Sequence, residues 1–314
     1  MNITDTPEDM DRFQGDRELS EYCRRFGLDG VEYQRVMKKD GIRDTDLIQG
    51  VHLSSPYSWV DFWKGNQEAL LKEYGNWETI EQYYGGRERE AVYAGTRSEL
   101  EYAKRIGAKY VVYHICEVRL EEVFHHRFSY RDEEVVDTAA EIINEMLDGR
   151  GYEFDFLMEN LWWPGMNLRN PDVTGRLLEK IHYPNKGIML DTGHLMNTNW
   201  NLRTQEEAVD YVMHVLRKHE AYLPYIKGIH LNASLSGEFV SAHQREVHEI
   251  KEDYWERLSD TYEVILRTDQ HRPFTAAGVV DVIETVSPKY LTYELISTGL
   301  EEHEALMKAQ RAVC

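Results

Sequence analysis

The sequence lacks most of the features that would settle its class at a glance. It has three cysteines, Cys23, Cys116 and Cys314, and no CxxC pair. A disulfide framework is therefore not expected, and a reducing, cytoplasmic setting is. Prolines number only eight in 314 residues, while 42% of residues are hydrophobic and 29% charged, which excludes a fibrous or disordered chain. No apolar run approaches the roughly 20 residues that cross a bilayer, so no membrane partner is expected. The opening residues, MNITDTPEDMDRFQGD, offer neither a basic nor an apolar stretch of the kind a signal peptide needs. Basic residues are also in short supply. Thirty-six Lys and Arg stand against 56 Asp and Glu, for a net charge of −20. That balance opposes broad nucleic-acid binding, which depends on phosphate neutralisation, and leaves open only a local basic strip.

The chain does contain a regular alternation of short apolar runs and longer amphipathic stretches. Strands are expected at 1–4, 30–33 (GVEY), 49–53 (QGVHL), 110–114 (YVVYH), 154–159 (FDFLME), 187–191 (GIMLD), 225–231 (YIKGIHL) and 290–294 (YLTYE). Most are continuous apolar runs, as expected of parallel strands covered by helices. Helices are expected at 87–106, 132–147, 204–219 (opened by a Thr204-x-x-Glu207 capping box), 275–286 and 300–312. Eight strands separated by helices predict an α/β fold, a (β/α)8 barrel in one domain over 1–314. A doubly wound sheet is second, but neither GxGxxG nor GxxxxGK[ST] follows any strand.

In such a barrel the chemistry sits where strands end. The polar residues at those ends are Glu32, His52, His114, Glu159, Asp191 with His194, His230 and Glu294. A lone histidine closing a strand is usually a hydrogen-bonded structural residue. Six or more such groups on one face would each cost several kcal/mol to bury alone, and a shared metal centre relieves that cost. Asp191-x-x-His194 spans the strand exit in GIMLDTGHL, although Asp191 could also cap the next helix. Glu159 and Glu294 each close an apolar run, where an unpaired carboxylate is poorly tolerated. Glu32 stays unassigned between ligand and a residue behind the ligands. In the loop after the seventh strand, SLSGEFVSAHQREVHEI, Glu246-x-His248 offers two more donors, with His243 close by. For His125, His126, His182, His214, His219, His271 and His303 a surface role is favoured over ligation. Trp59, Trp63, Trp162, Trp163 and Trp200 follow ligand strands, and with Asn160 they are the candidates for an aromatic substrate pocket.

These residues make the chain similar to the xylose isomerase-like TIM-barrel superfamily, from FGLDGVEY to LTYELI. That superfamily holds sugar isomerases, ketose epimerases and the endonuclease IV type of abasic-site nuclease (AP endonuclease family 2). Resemblance to the epimerase branch implies one divalent ion held by Glu159, Asp191, His230 and Glu294, with the two glutamates as an acid/base pair. Resemblance to the nuclease branch implies further ions held by His52, His114, His194 and an Asp-x-His after the seventh strand. Glu246-x-His248 stands for that last motif, with Glu in place of Asp. HLNAS, at 230–234, resembles that branch's HLNDS without the aspartate, and the epimerases' His-x-x-Asp-x-x-Arg is missing.

The first expectation is thus a metal-dependent isomerase or epimerase acting on a small sugar-like substrate. It would carry one to three Mn, Mg, Co or Zn ions, with Glu159 and Glu294 exchanging the proton. The alternative is a hydrolase with a di- or trinuclear centre that cleaves a phosphodiester. A homodimer is compatible with either.

Overall fold

A computed structural model describes residues 1–246 and 251–314. Eight strands follow one another round a sheet in sequence order, every neighbouring pair parallel. They are β1 (Asn2–Thr4), β2 (Val31–Gln34), β3 (Ile48–His52), β4 (Tyr110–His114), β5 (Asp155–Glu159), β6 (Lys186–Asp191), β7 (Ile226–Leu231) and β8 (Tyr290–Tyr293). The ring is nearly closed, and a hydrogen bond of 3.4 Å from Asn2 Nδ2 to Glu294 Oε1 reaches across the gap between first and last strands. This is the (β/α)8 barrel that the alternation predicts.

Residues two apart on a strand share a face, so each strand supplies the barrel interior at several heights. Tyr110, Val112, Leu157, Met189 and Tyr290 form an apolar layer inside, separate from the main core between strands and helices. Above that layer the same strands present His114, Glu159, Asp191 and Glu294. Two glycines make room for the layer. A Cβ on Gly50 would stand 2.3 Å from the Tyr110 ring, and one on Gly228 would stand 2.6 Å from Met189 Sδ.

The helices follow the expected pattern with instructive differences at their starts. Asp132–Leu147 has the predicted limits. Gln205–Lys218 is capped by Thr204, whose hydroxyl accepts from the Glu207 amide at 3.2 Å. The reciprocal half of the box is displaced by one residue, because the Glu207 carboxylate accepts from the Arg203 amide instead. The helix expected from 87 begins at Ala91 and the one expected from 275 begins at Val279. At 275, Gln205 Oε1 takes the Thr275 and Ala276 amides and holds them outside the helix.

Three short helices, Val60–Lys64, Gln67–Tyr74 and Trp77–Tyr84, occupy the connection after β3. Two histidines expected on the surface are core residues. His219 bonds Val215 O at 3.0 Å and Thr174 Oγ1 at 3.2 Å, and His303 bonds the Tyr22 hydroxyl at 2.6 Å. Each lies on the inward face of its helix, where an imidazole must find a partner. Among the described residues no helix is long and apolar enough to cross a membrane.

Candidate metal centre

At the C-terminal ends of the strands, imidazoles and carboxylates meet in four groups, one of them Glu32 with His52 and His230. The other three adjoin one another. The first joins β5 to β8: Glu159, Asp191, His230 and Glu294, whose ligand atoms all lie within 4.8 Å of one another. His230 Nδ1 is 3.1 Å from Glu159 Oε1, 2.9 Å from Glu294 Oε2 and 3.9 Å from Asp191 Oδ2. The second group uses the other oxygen of Glu159, with His52 Nε2 at 3.1 Å and His114 Nε2 at 3.2 Å from Oε2. The third is His194, Asp269 and His271, with the two Nε2 atoms at 3.1 and 2.6 Å from Asp269 Oδ2. His194 Nδ1, 3.3 Å from Glu159 Oε1, ties this group to the first.

Local hydrogen bonds explain how each side chain is aimed. Asp191 fills both roles open to it: its Oδ1 caps the helix Thr192–Met196 through the His194 amide at 2.6 Å, and its Oδ2 accepts from Asn232 Nδ2 at 2.7 Å. Asn232 belongs to the HLNAS stretch, and a Cβ on Gly193 would fall 1.8 Å from its Oδ1, so the turn after β6 needs glycine. Asn160 clamps β5 to β6, donating to Asp191 O at 3.0 Å and accepting from Asp191 N at 2.9 Å. It is therefore a buried tie between the two strands. Behind His230, Glu32 lies 2.9 Å from Nε2 and holds that nitrogen away from the group, leaving Nδ1 to face inward.

The third group corrects the sequence reading. His271 is a buried member of the cluster, not a surface histidine, and it sits there with Asp269. Glu246 is exposed on a separate patch, where it pairs with His243 at 3.3 Å, and His248 lies outside the described residues. An Asp-x-His spacing does occur in the seventh connection, at Asp269-Gln270-His271, one long helix (Tyr254–Thr268) further on. A two-way backbone bridge between Ala233 and Arg272 brings this segment back to the end of β7. The signal was present as the literal Asp-x-His spacing, and the intervening helix concealed its proximity.

Without added cations the carboxylates and imidazoles neutralise each other. Burial depresses His230 and His194, but neighbouring carboxylates outweigh it and raise both well above the ordinary histidine range. His271, likewise desolvated, is carried up to about 9 by Asp269 and Glu294. His114 alone is lowered, because burial dominates there. Burial raises the carboxylates too; His230 and His271 overcome this at Glu294, which falls to about 2, whereas Asp191 stays raised at about 7. Glu294 Oε2 is buried, with His230 Nδ1 beside it at 2.9 Å but no well-aligned hydrogen bond. Convergent imidazole and carboxylate lone pairs, with such an oxygen among them, fit borderline divalent cations.

Above the groups is a cavity of about 590 Å³, floored by His52, His114, His194, Asp269, His271 and Glu294. Trp162 and Trp163 wall it, and Trp200 belongs to a neighbouring cavity that shares them. Trp59 and Trp63 are not in the lining. They pack outward, their indoles donating to Cys116 O and Glu141 Oε2, because the segment after β3 coils into a helix that buries them against the outer layer. Arg12 is the one Lys or Arg among the described residues lining the cavity above these groups.

A family model described as "Xylose isomerase-like TIM barrel" matches residues 21–287. Among solved structures, a D-tagatose 3-epimerase-like protein superposes with a TM-score of 0.51 at 13% identity, over 99% of this chain and 97% of that one. An IOLI protein with a bound zinc atom superposes with a TM-score of 0.50 at 14% identity, over 99% and 95%. At such identities the likeness speaks for the fold alone. No curated protein matches the chain.

Proposed function

The chain belongs to the xylose isomerase-like TIM barrels, and on that premise we propose that it is a divalent-metal-dependent hydrolase of small phosphate esters. The observation that carries this reading is the contiguity of the three ligand groups, two of them sharing Glu159 and the third joined through His194. Asp269 and His271 bring an Asp-x-His beside the other groups, where Glu246-x-His248 was expected, and this supports a nuclease-type ligand set.

Charge favours the same conclusion. The ligand carboxylates are Glu159, Asp191, Asp269 and Glu294, so three divalent ions would leave the floor at +2, whereas a single ion, with His194 and His271 still protonated, would leave it about neutral. Only the first makes an attractive seat for a phosphoryl group on a chain of net charge −20. Imidazole-rich groups suit Zn, Mn or Co better than Mg, which prefers oxygen ligands. Ions so held supply Lewis-acid stabilisation of charge developing on a phosphoryl oxygen.

The protein's own residues do the rest. Glu159 fixes the spacing of two groups through its two oxygens, Glu32 fixes the orientation of His230, and Trp162 with Trp163 excludes water from one side. Arg12 adds the single side-chain cation, already braced by Asp9 at 2.9 Å. One basic side chain is too few for a long polyanion, so the substrate is small.

A second reading, the isomerase or epimerase, has its own observation. Glu159 and Glu294 flank His230 Nδ1 at 3.1 and 2.9 Å, as a proton-exchanging pair would across one ion. The two readings separate in one assay of metal-loaded protein. Hydrolysis of bis(p-nitrophenyl) phosphate, abolished by chelator and restored by Zn or Mn, is expected. Epimerisation of a ketose with no ester turnover would overturn the hydrolase reading in favour of the second.

A further inference from the structure

The cavity of about 590 Å³ above the ligand groups has two unlike sides. One comes from the first strand and the residues after it, and its polar groups are largely engaged with one another. The Thr4 and Thr6 hydroxyls share a hydrogen bond at 2.8 Å, and Asp9 accepts from the Thr4 amide at 2.7 Å. Arg12 donates to Ser297 O at 2.6 Å besides its pairing with Asp9. The other side is apolar and open. Tyr262, Leu266 and Ile296 line the cavity and are 43%, 59% and 45% exposed. Nine large hydrophobic side chains are exposed among the described residues, and these three share one cavity. Single exposed apolar residues are ordinary, but a group of them at a cavity marks a binding surface.

The chain holds this apolar side in register with the floor. Tyr262, Ile265 and Leu266 fall three and four residues apart, on one face of the helix Tyr254–Thr268, and Asp269 of the third ligand group follows directly at its end. Ile296 comes two residues after Glu294, and its amide donates to His271 O at 3.4 Å. Tyr57, partly buried, connects the opening to the floor. Its ring lies 6.2 Å from Tyr262, 5.5 Å from Trp163 and 6.5 Å from His114. Apolar side chains and rings thus run from the opening down to the ligands.

Taking the hydrolase reading as its basis, we propose that this side of the cavity is the subsite for an apolar organic group, so that the substrate is a phosphate ester with an alkyl or aryl arm. With the phosphoryl group seated on the floor, the arm rises along Tyr57 and Tyr262 to Leu266 and Ile296. Covering these side chains removes apolar surface from water on both partners. A sugar arm would bring hydroxyls against the same side chains and lose their hydrogen bonds to water.

Calorimetric titration of the zinc-loaded full chain with methyl-, propyl- and hexylphosphonate, whose C–P bond resists hydrolysis, measures the arm apart from turnover. A methylene covered on one side is worth about a twofold gain, so affinity should rise roughly thirtyfold from methyl to hexyl. 2,3-Dihydroxypropylphosphonate, the hydroxylated match of the propyl compound, should bind more weakly than it. Leu266→Gln combined with Ile296→Thr, both at exposed positions that spare the core, should cut the hexyl-to-methyl ratio to about fivefold. Leu266→Met, which keeps an apolar side chain, should hold the ratio near its unsubstituted value. No binding of hexylphosphonate, affinity that does not rise with chain length, tighter binding of the dihydroxy compound, or a ratio unmoved in the double variant would each overturn the subsite. The hydrolase reading would survive any of these if bis(p-nitrophenyl) phosphate is still turned over. Binding that rises with chain length, without turnover of hexyl p-nitrophenyl phosphate, would uphold the subsite and remove the hydrolase reading alone.

Discussion

Asp155 and Glu159 open and close the same strand, β5, and both are buried carboxylates that face the barrel interior, yet their surroundings differ in kind. Asp155, at the base, accepts from Lys227 and Lys289 at 2.7 Å each and from the Tyr290 hydroxyl at 2.8 Å. Glu159, at the mouth, is surrounded by His52, His114, His194 and His230. Leu157 and the apolar layer separate them. An ammonium group that holds its proton has no lone pair to give. An imidazole can lose its proton and then present a lone pair to a cation. Lysine pairing makes a fixed structural joint, whereas histidine pairing makes one that a metal ion can take over.

The largest effect should come from breaking the mouth end. Glu159→Gln removes a charge shared by two groups. Elemental analysis should show loss of the ions at both, and ester hydrolysis should fall by on the order of a thousandfold or more. Full activity in this variant would remove Glu159 from the centre.

The matching change at the base, Asp155→Asn, should leave metal content alone and lower stability by about 1–3 kcal/mol in denaturant titration. The cost is moderated because the Lys227 and Lys289 side chains are 25% and 63% exposed and can turn to water. A change in metal content here would contradict the division of labour between the two ends.

A smaller shift is expected from Glu32→Gln, which weakens the hold on His230 Nε2 without changing a member of the three adjoining groups. Metal affinity should drop about 10- to 100-fold with little change in ion number at saturation.

Smallest is a pH effect. His271 has its pKa raised to about 9, so the stabilisation it brings to the metal-free protein is complete below its ordinary value of 6.5 and is lost as pH rises through about 9. An ion must displace that proton, so affinity at this group should rise about tenfold per pH unit up to pH ~9 and level off above it. Calorimetry in buffers of different ionisation enthalpy would detect the released proton. Affinity that falls with rising pH would contradict the pairing with Asp269.

Much of the barrel was legible because its signals are local. Continuous apolar runs marked β4 and β6, and Asp132–Leu147 was framed at both ends by its own periodicity. Strand-closing residues were legible for the same reason, since period-two alternation places His114, Glu159 and Asp191 on the inner face. What escaped notice depends on the chain returning from a distance. Asp269 and His271 reach the mouth through the Ala233–Arg272 bridge, which leaves no trace in local pattern. Trp59 and Trp63 have the right position in sequence, but the helix they start turns their indoles outward toward Cys116 and Glu141. Asn160 was placed among pocket residues by adjacency to Glu159, and its amide is spent on the Asp191 backbone.

The number of ions that bind at the mouth separates the two readings. Elemental analysis of the chain saturated with zinc and then dialysed measures this directly. Three ions per chain, falling to one in Glu159→Gln, is the predicted result. A single tightly held ion in the unsubstituted protein, unaffected by changing His52, His114, Asp269 or His271, would contradict it.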